Sequence, residues 1–212
     1  MADPHLADYA PAFGNLTAKQ QKILESAITV FAEKGYANAS THEIAKRAGV
    51  AEGNIFARFG SKHGLLNAII QPVAERIFPF AVSDLVDREL ATPFQTRHEF
   101  CESLISNRLR ILRDNAPLVK VFVTELLNQE TVRQQLLHQF PDSYWAALDQ
   151  TLDRLRENGE LVAWSNRTVL KYLWSLVGGV AASFLYFNQP LDDETIATTV
   201  TAADKVLAPK PA

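Results

Sequence analysis

Apolar residues recur at three- and four-residue spacing along most of the chain, and no pair of segments alternates as strands do. Between Thr17 and Lys34, the residues Ile23, Ala27, Val30 and Phe31 share one helical face, which Leu24 and Ile28 widen. Thr17 and Gln20 have the capping-box spacing that opens such a helix, and Gly35-Tyr36 closes it. Ser40 and Glu43 repeat the box before a short helix that carries Ile44, Ala45 and Ala48. Gly49 ends that helix, because glycine enters the left-handed conformation without a Cβ penalty. A second short helix starts near Ala51 and sends Ile55, Phe56 and Phe59 toward the core. Ser61 caps a further helix to about Phe78, with Leu65, Leu66, Ile69, Ile70 and Val73 on its apolar side. Pro72 falls inside it. A proline there removes one helical hydrogen bond and crowds the carbonyl of Ala68, which predicts a bend or break.

Beyond Pro79 the pattern stays helical. A loop near Ala91-Thr92-Pro93 precedes a helix to about Arg113, and Asn115-Ala116-Pro117 separates it from a helix bearing Leu118, Phe122, Val123, Leu126 and Leu127. A long helical region from Thr131 to Glu157 is interrupted or bent at Pro141 and stopped by Asn158-Gly159. Asn166 to Phe187 is strongly apolar around Gly178-Gly179-Val180-Ala181-Ala182-Ser183, and Asp192 caps a last helix ending near Leu207. The expected fold is all-α, with about nine helices. Two short helices set at an angle by a glycine turn form a helix-turn-helix, whose second helix enters the DNA major groove.

The 212 residues hold one cysteine, Cys101, which excludes an intramolecular disulfide and suits a reducing cytosol. No run approaches the roughly 18 apolar residues of a membrane span, and the start lacks the pattern of a signal peptide, so a cytoplasmic protein with no membrane partner is expected. The net charge of −3 argues at first against nucleic acid. Its distribution changes that picture: residues 15–65 carry seven Lys/Arg against four Glu, while residues 66–212 carry fourteen basic against eighteen acidic. The local basic excess sits on the helix-turn-helix pattern, where phosphate attraction needs it, although a solvated helical face has similar charge.

Several segments resemble the tetracycline-repressor (TetR/AcrR) family of bacterial transcription regulators. Phe31-Ala32-Glu33-Lys34-Gly35-Tyr36 is similar to the end of the family's helix 1, and Glu43-Ile44-Ala45-Lys46-Arg47-Ala48-Gly49-Val50 to helix 2 and its turn. Gly53-Asn54-Ile55-Phe56-Ala57-Arg58-Phe59 resembles the recognition helix, and Ser61-Lys62 with Leu65-Leu66 the start of helix 4. The likeness is ordered and covers roughly residues 17–70; in the body only the helical order and Asn158-Gly159-Glu160-Leu161 resemble the family. Residues 1–14, with two prolines and no periodicity, are expected to form a flexible arm, and the resemblance implies a DNA-binding domain (15–62) and, joined through helix 4, an effector-binding and dimerisation domain (63–212). Its implied partners are a palindromic operator in double-stranded DNA, a small effector and a second copy of the chain.

By position, the resemblance puts Thr41, His42 and Lys46 near phosphates or the groove edge, and Ala51, Glu52, Gly53 and Asn54 at the base-facing start of the recognition helix. Asn54 can pair bidentately with adenine or stand as an exposed helix residue, and Glu52 must accept from a cytosine amine if it touches DNA and is otherwise solvated. Arg58 stands where relatives often have histidine or tyrosine, a position from which it can reach phosphate or guanine or form a surface salt bridge. Lys62 matches a phosphate-contacting lysine, so Lys62→Ala should lower the salt slope of binding by about one unit. Phe56 replaces a usual tyrosine and cannot give a hydroxyl to phosphate, which leaves its ring for packing.

The small residues Gly178, Gly179, Ala181, Ala182 and Ser183 lie on the helix that the family uses for dimerisation, and they permit close helix approach; packing within the chain is the alternative. An apolar effector pocket lined by Phe100, Leu104, Phe122, Trp145 and Trp174, with Asn107 and Arg108 as polar groups, is expected in the aromatic-rich body. Pro72 offers a mechanical link between that body and the DNA-binding helices. No catalytic residue, cofactor or metal site is read: His98 and Cys101 lie one turn apart without further ligands at motif spacing, and no nucleotide-binding, hydrolase or zinc-protease motif occurs. The competing readings are a helical adaptor that binds a protein partner and an enzyme on a helical scaffold.

Overall fold

The computed structural model describes residues 12–84, 90, 93–137 and 140–209, and every regular element among them is helical. In chain order these are α1 (Ala18–Asn38), α2 (Thr41–Ala48), α3 (Gly53–Phe59), α4 (Lys62–Pro72), a π-helical turn (Val73–Ile77), α5 (Phe78–Asp84) and α6 (Arg97–Asp114). Then follow α7 (Ala116–Asn128), α8 (Glu130–Leu137), α9 (Asp142–Glu157), α10 (Asn166–Phe187) and α11 (Asp193–Val206). The all-α expectation holds. The described residues show two α-helices more than the nine expected, because the 131–157 region divides before Pro141 and α5 follows the π turn.

The chain forms two compact units, one of Pro4–Phe80 and Asn115–Gln139, the other chiefly of Ala81–Asp114 and Phe140–Ala212. The first therefore extends well past residue 62. Its centre is α1, whose buried face of Ile23, Leu24, Ala27, Ile28, Val30 and Phe31 is too wide for α2 and α4 alone. α7 brings Leu118, Val121 and Phe122 into the same core, beside Ile44, Ile55, Leu65, Leu66 and Ile69. α1 opens with the expected capping box, Thr17 and Gln20 each accepting the other's backbone N–H at 3.3 and 3.0 Å. It turns at Gly35, whose φ of 75° is available to glycine with least strain.

Part of the expected flexible arm is packed: Phe13 rests on this core, as does Leu16 just beyond the arm, and Arg76 donates to the carbonyl of Ala12 at 2.7 Å. Residues 1–11 of that arm, and the Ala91-Thr92 part of the expected loop, lie outside the described residues. At Pro72 the expected disturbance takes a definite form. The helical path continues, but widens to a π turn in which the Phe78 amide donates to the Val73 carbonyl five residues back.

In the second unit α6 and α11 pack along one another. Phe100, Leu104, Ile105 and Leu109 are fully buried, as are Leu148, Leu152 and Leu155 of α9 and Val169 and Leu173 of α10. Arg97 closes the start of α6. Its guanidinium donates to Asp204 of α11 at 2.9 and 3.3 Å and to the Glu160 carbonyl at 2.6 Å. Cys101 sits one turn on, fully buried. Burial first, then the nearby Asp204 charge, push its thiol up to about 12, with Arg97 opposing. His98 stays on the surface, 4.0 Å from Glu102, so the pair seen in sequence points in two directions.

α10 corrects one expectation. It holds an 18-residue stretch apolar and long enough to cross a membrane, yet only 22% of that stretch is buried within the chain. Serines and glycines had masked it as a continuous apolar run, and its charged residues, Arg167 and Lys171, lie in the first two turns.

Candidate nucleic-acid interface

Local chemistry sets the angle between α2 and α3. The Ser40 hydroxyl accepts the Glu43 amide at 3.1 Å to start α2. Gly49, at φ 67°, ends it, and the Val50 amide returns to the Ala45 carbonyl at 3.0 Å. Only half of the expected Ser40–Glu43 box forms, because the Glu43 carboxylate turns instead to Lys34 at 2.6 Å. At the other end, α3 enters α4 through a tight corner. The Ser61 hydroxyl accepts the Gly64 amide at 2.9 Å, and a Cβ on Gly64 would stand 1.9 Å from the Phe59 carbonyl oxygen. Only glycine allows that backbone to pass so close.

α3 has seven residues, so its orientation rests on few side chains. Ile55 is fully buried and Phe59, one turn on, is partly so. With that stripe inward, Gly53, Phe56, Ala57 and Arg58 are exposed. Phe56 thus departs from expectation: its ring does not pack in the core but is 47% exposed. It follows Ile55 by one residue, about 100° around the helix, and a single buried stripe cannot hold both.

The expected polar contacts are brought to one surface, but several are engaged within the chain. Glu52 accepts from the Thr41 hydroxyl at 2.6 Å, and His42 Nδ1 stands 3.7 Å from its other oxygen. That carboxylate, expected either to meet cytosine or to stand solvated, instead ties α2 to the start of α3. Asn54 donates its amide to the Ala51 carbonyl at 3.0 Å. Ala51 and Gly53 are exposed beside it and offer no side-chain polar group.

Lys62 corrects the sequence reading most sharply. Its ammonium turns inward and donates to the carbonyls of Tyr36 and Ala39, both at 2.9 Å, and to that of Ala37 at 3.4 Å. It lies 4.5 Å from the centre of the Tyr36 ring. All three N–H donors have carbonyls within reach, so the lysine caps the end of α1 rather than presenting its charge outward. The sequence match identified the position but could not show which way the side chain turns.

The remaining charges divide in the same way. Arg47 pairs with Glu33 at 3.2 Å, as Lys34 does with Glu43. Among the described residues Lys46 and Arg58 are exposed cations of α2 and α3 with no carboxylate in salt-bridge range, and the Arg58 guanidinium lies 5.9 Å from the Phe59 ring centre. Besides the paired Arg47, the exposed side chains of α2 and α3 are therefore His42, Lys46, Phe56, Ala57 and Arg58.

The expected effector residues are distributed over both units. Phe100 and Leu104 are core of the second unit, and Phe122 is core of the first. Trp145 is 45% exposed in a cluster with Phe140 and Tyr144. Asn107 accepts from Arg108 at 2.6 Å, and Trp174 is half-buried. Aromatic content alone does not separate a pocket wall from a core.

The small residues of α10 are placed more coherently. Gly178 and Gly179 are exposed, and a Cβ added at either meets nothing within 4 Å. With the buried stripe of Val169, Leu173 and Val177 turned inward, Gly178, Gly179, Ala182 and Ser183 point outward between Tyr172 and Tyr186, both exposed. Ala181 lies closer to the buried side. Among the described residues no cluster of three or more His, Cys, Asp or Glu is arranged to hold a metal ion.

Comparison with known proteins gives these features a context. The family described as "Bacterial regulatory proteins, tetR family" matches residues 23–69, the stretch from α1 into α4. The fatty acid metabolism regulator protein of Bacillus subtilis (strain 168) is 26% identical over 143 residues, 68% of this chain and 71% of that protein. The crystal structure of the regulator FadR from Bacillus subtilis in complex with stearoyl-CoA matches with a TM-score of 0.57 at 21% identity, covering 89% of this chain and 97% of that one. PfmR of Thermus thermophilus, a TetR family transcriptional regulator, matches with a TM-score of 0.64 at 18% identity, covering 90% and 99%. At these identities the solved structures establish a shared fold.

Proposed function

We propose that the chain, which matches the tetR family of bacterial regulatory proteins over residues 23–69, is a repressor that binds a palindromic operator as a dimer and lets go on binding a small, largely apolar effector. Regulation of transcription through DNA binding is the part that the family match supports; ligand response, operator symmetry, the sign of regulation and the effector class belong to the proposal. The observation that carries it is the surface of α2 and α3, where a capped, glycine-turned helix pair exposes a short second helix with Lys46 and Arg58 unpaired beside it. Basic side chains flanking such a helix supply the phosphate attraction that holds it in the major groove.

Dimerisation is supported by α10. Its outward face joins glycines, alanine and serine between two exposed tyrosines, so a second α10 can approach closely and cover apolar surface that the chain leaves open. A two-fold dimer also sets two α3 helices on half-sites about one turn of DNA apart. Such a protein works where its DNA is, in the bacterial cytoplasm.

For the effector, the FadR structure holding stearoyl-CoA makes a long-chain acyl-CoA the first candidate, a ligand whose acyl chain is apolar and whose coenzyme A part is anionic. Such a ligand releases DNA only if it binds the DNA-incompetent conformation more tightly than the competent one. The π turn after Pro72, at the end of the helix packed on α3, is a place where such a change can be absorbed. The test is a gel shift on the DNA flanking the protein's own gene, with and without stearoyl-CoA. A specific shift reversed by micromolar acyl-CoA supports the reading. A shift that persists removes the effector class, and no specific shift removes the regulator.

A further inference from the structure

α3 exposes a large apolar side chain for which the fold gives no internal use. The Phe56 ring is 47% in solvent on a helix that offers few other outward groups, and Ala57 beside it is exposed as well. The polar side chains around it are largely engaged. Glu52 is held by Thr41, the Asn54 amide by the Ala51 carbonyl, and the Lys62 ammonium by the carbonyls of Tyr36 and Ala39. From the exposed side of α3 this leaves Phe56, Ala57 and Arg58, two apolar groups and one cation.

We propose that Phe56, with Ala57 beside it, reads the 5-methyl group of a thymine, so that methyl contact is the main source of base discrimination by α3. The inference rests on α3 being the helix that enters the groove. In the major groove thymine alone carries a methyl group, and alanine and phenylalanine side chains are suited to contact it. A ring that is exposed in the free protein and meets a methyl group on binding removes both from water, without requiring the polar network around Glu52 to open. Arg58 lies on the other flank of the helix and serves phosphate or guanine independently.

The test uses the full chain and duplexes that it enriches from a random-sequence pool. Each thymine of the enriched site is replaced in turn by deoxyuridine, which removes only the methyl group. For the wild-type protein, one thymine per half-site should be sensitive. Its replacement should weaken binding about fourfold in one half-site and roughly fifteenfold in both, the order expected for one buried methyl group each. Phe56→Ala, at an exposed position, should melt within about 2 °C of the wild type and bind the enriched duplex more weakly. It should be indifferent to that one replacement and keep an unchanged salt slope. A wild-type protein indifferent to every uracil, or a Phe56→Ala protein with the wild-type sensitivity, overturns the proposal. If no duplex is enriched at all, the reading of α3 as a sequence-specific DNA element fails first, and this inference fails with it.

Discussion

Removing the charge of Lys62 while keeping its stem, as in Lys62→Met, separates two roles that the sequence alone confuses. In the structure the ammonium donates to two carbonyls at 2.9 Å, approaches a third and stacks on Tyr36. Hydrogen bonds from a charged group contribute about 1.5–3 kcal/mol each. A cation at a helix C-terminus adds about 0.3–1 kcal/mol. Against this stand the partial exposure of the site and roughly 2 kcal/mol of lysine side-chain entropy. A net loss of about 2 kcal/mol follows, which in a chain of this size lowers the melting temperature by about 4–8 °C. Operator affinity falls too, because the end of α1 and the start of α4 no longer hold α3 between them.

The discriminating measurement is the salt dependence of operator binding. Each lost phosphate contact reduces the slope of log K against log salt by about 0.9, hence by about 1.8 for the two subunits of a dimer. Lys62→Met should change the slope by less than about 0.5, while Lys46→Ala and Arg58→Ala should each lower it by about 1.8. A Lys62→Met protein with unchanged melting temperature and a slope lowered by about 1.8 would refute the inward role.

Three further outcomes follow from the geometry. Gly64→Ala places a methyl group 1.9 Å from the Phe59 carbonyl, so the end of α3 must move; thermal melts should show about 1–3 kcal/mol of destabilisation and gel shifts a loss of DNA binding. Gly179→Leu adds bulk where the chain itself has open space, so a monomer should fold normally while light scattering shows the dimer dissociating; an unchanged dimer places the interface elsewhere. Cys101 should resist iodoacetamide at pH 8 until the protein is unfolded. Its pKa is raised in the fold, so the stability supplied by burying the neutral thiol is full below about 9 and is lost as pH rises toward about 12, which denaturation at pH 8 and pH 10.5 compares.

The parts of this molecule that could be read from its sequence are those set by near neighbours. Thr17 with Gln20, Ser40, Gly49, Ser61 and Asp192 mark helix ends through bonds that span a few residues, and all five act as caps. The helix-turn-helix follows from them. Hidden were the partners that tertiary approach brings together: Lys62 with carbonyls more than twenty residues back, Thr41 with Glu52, and Arg97 with Asp204 across the second unit. A sequence match says that a lysine occupies a position, but only packing says whether its charge turns in or out. Phe56 shows the converse error, since residue type suggested the core while the single buried stripe of a seven-residue helix excluded it.

The central claim, that α3 of this protein reads a specific DNA sequence, is tested most directly by fluorescence anisotropy at about 150 mM salt. The full chain is titrated against the duplex flanking its own gene and against a scrambled duplex of equal composition. The account predicts affinity for the first at least about a thousandfold tighter, the lower end of the range for specific over non-specific binding. Equal affinities for the two duplexes would contradict it.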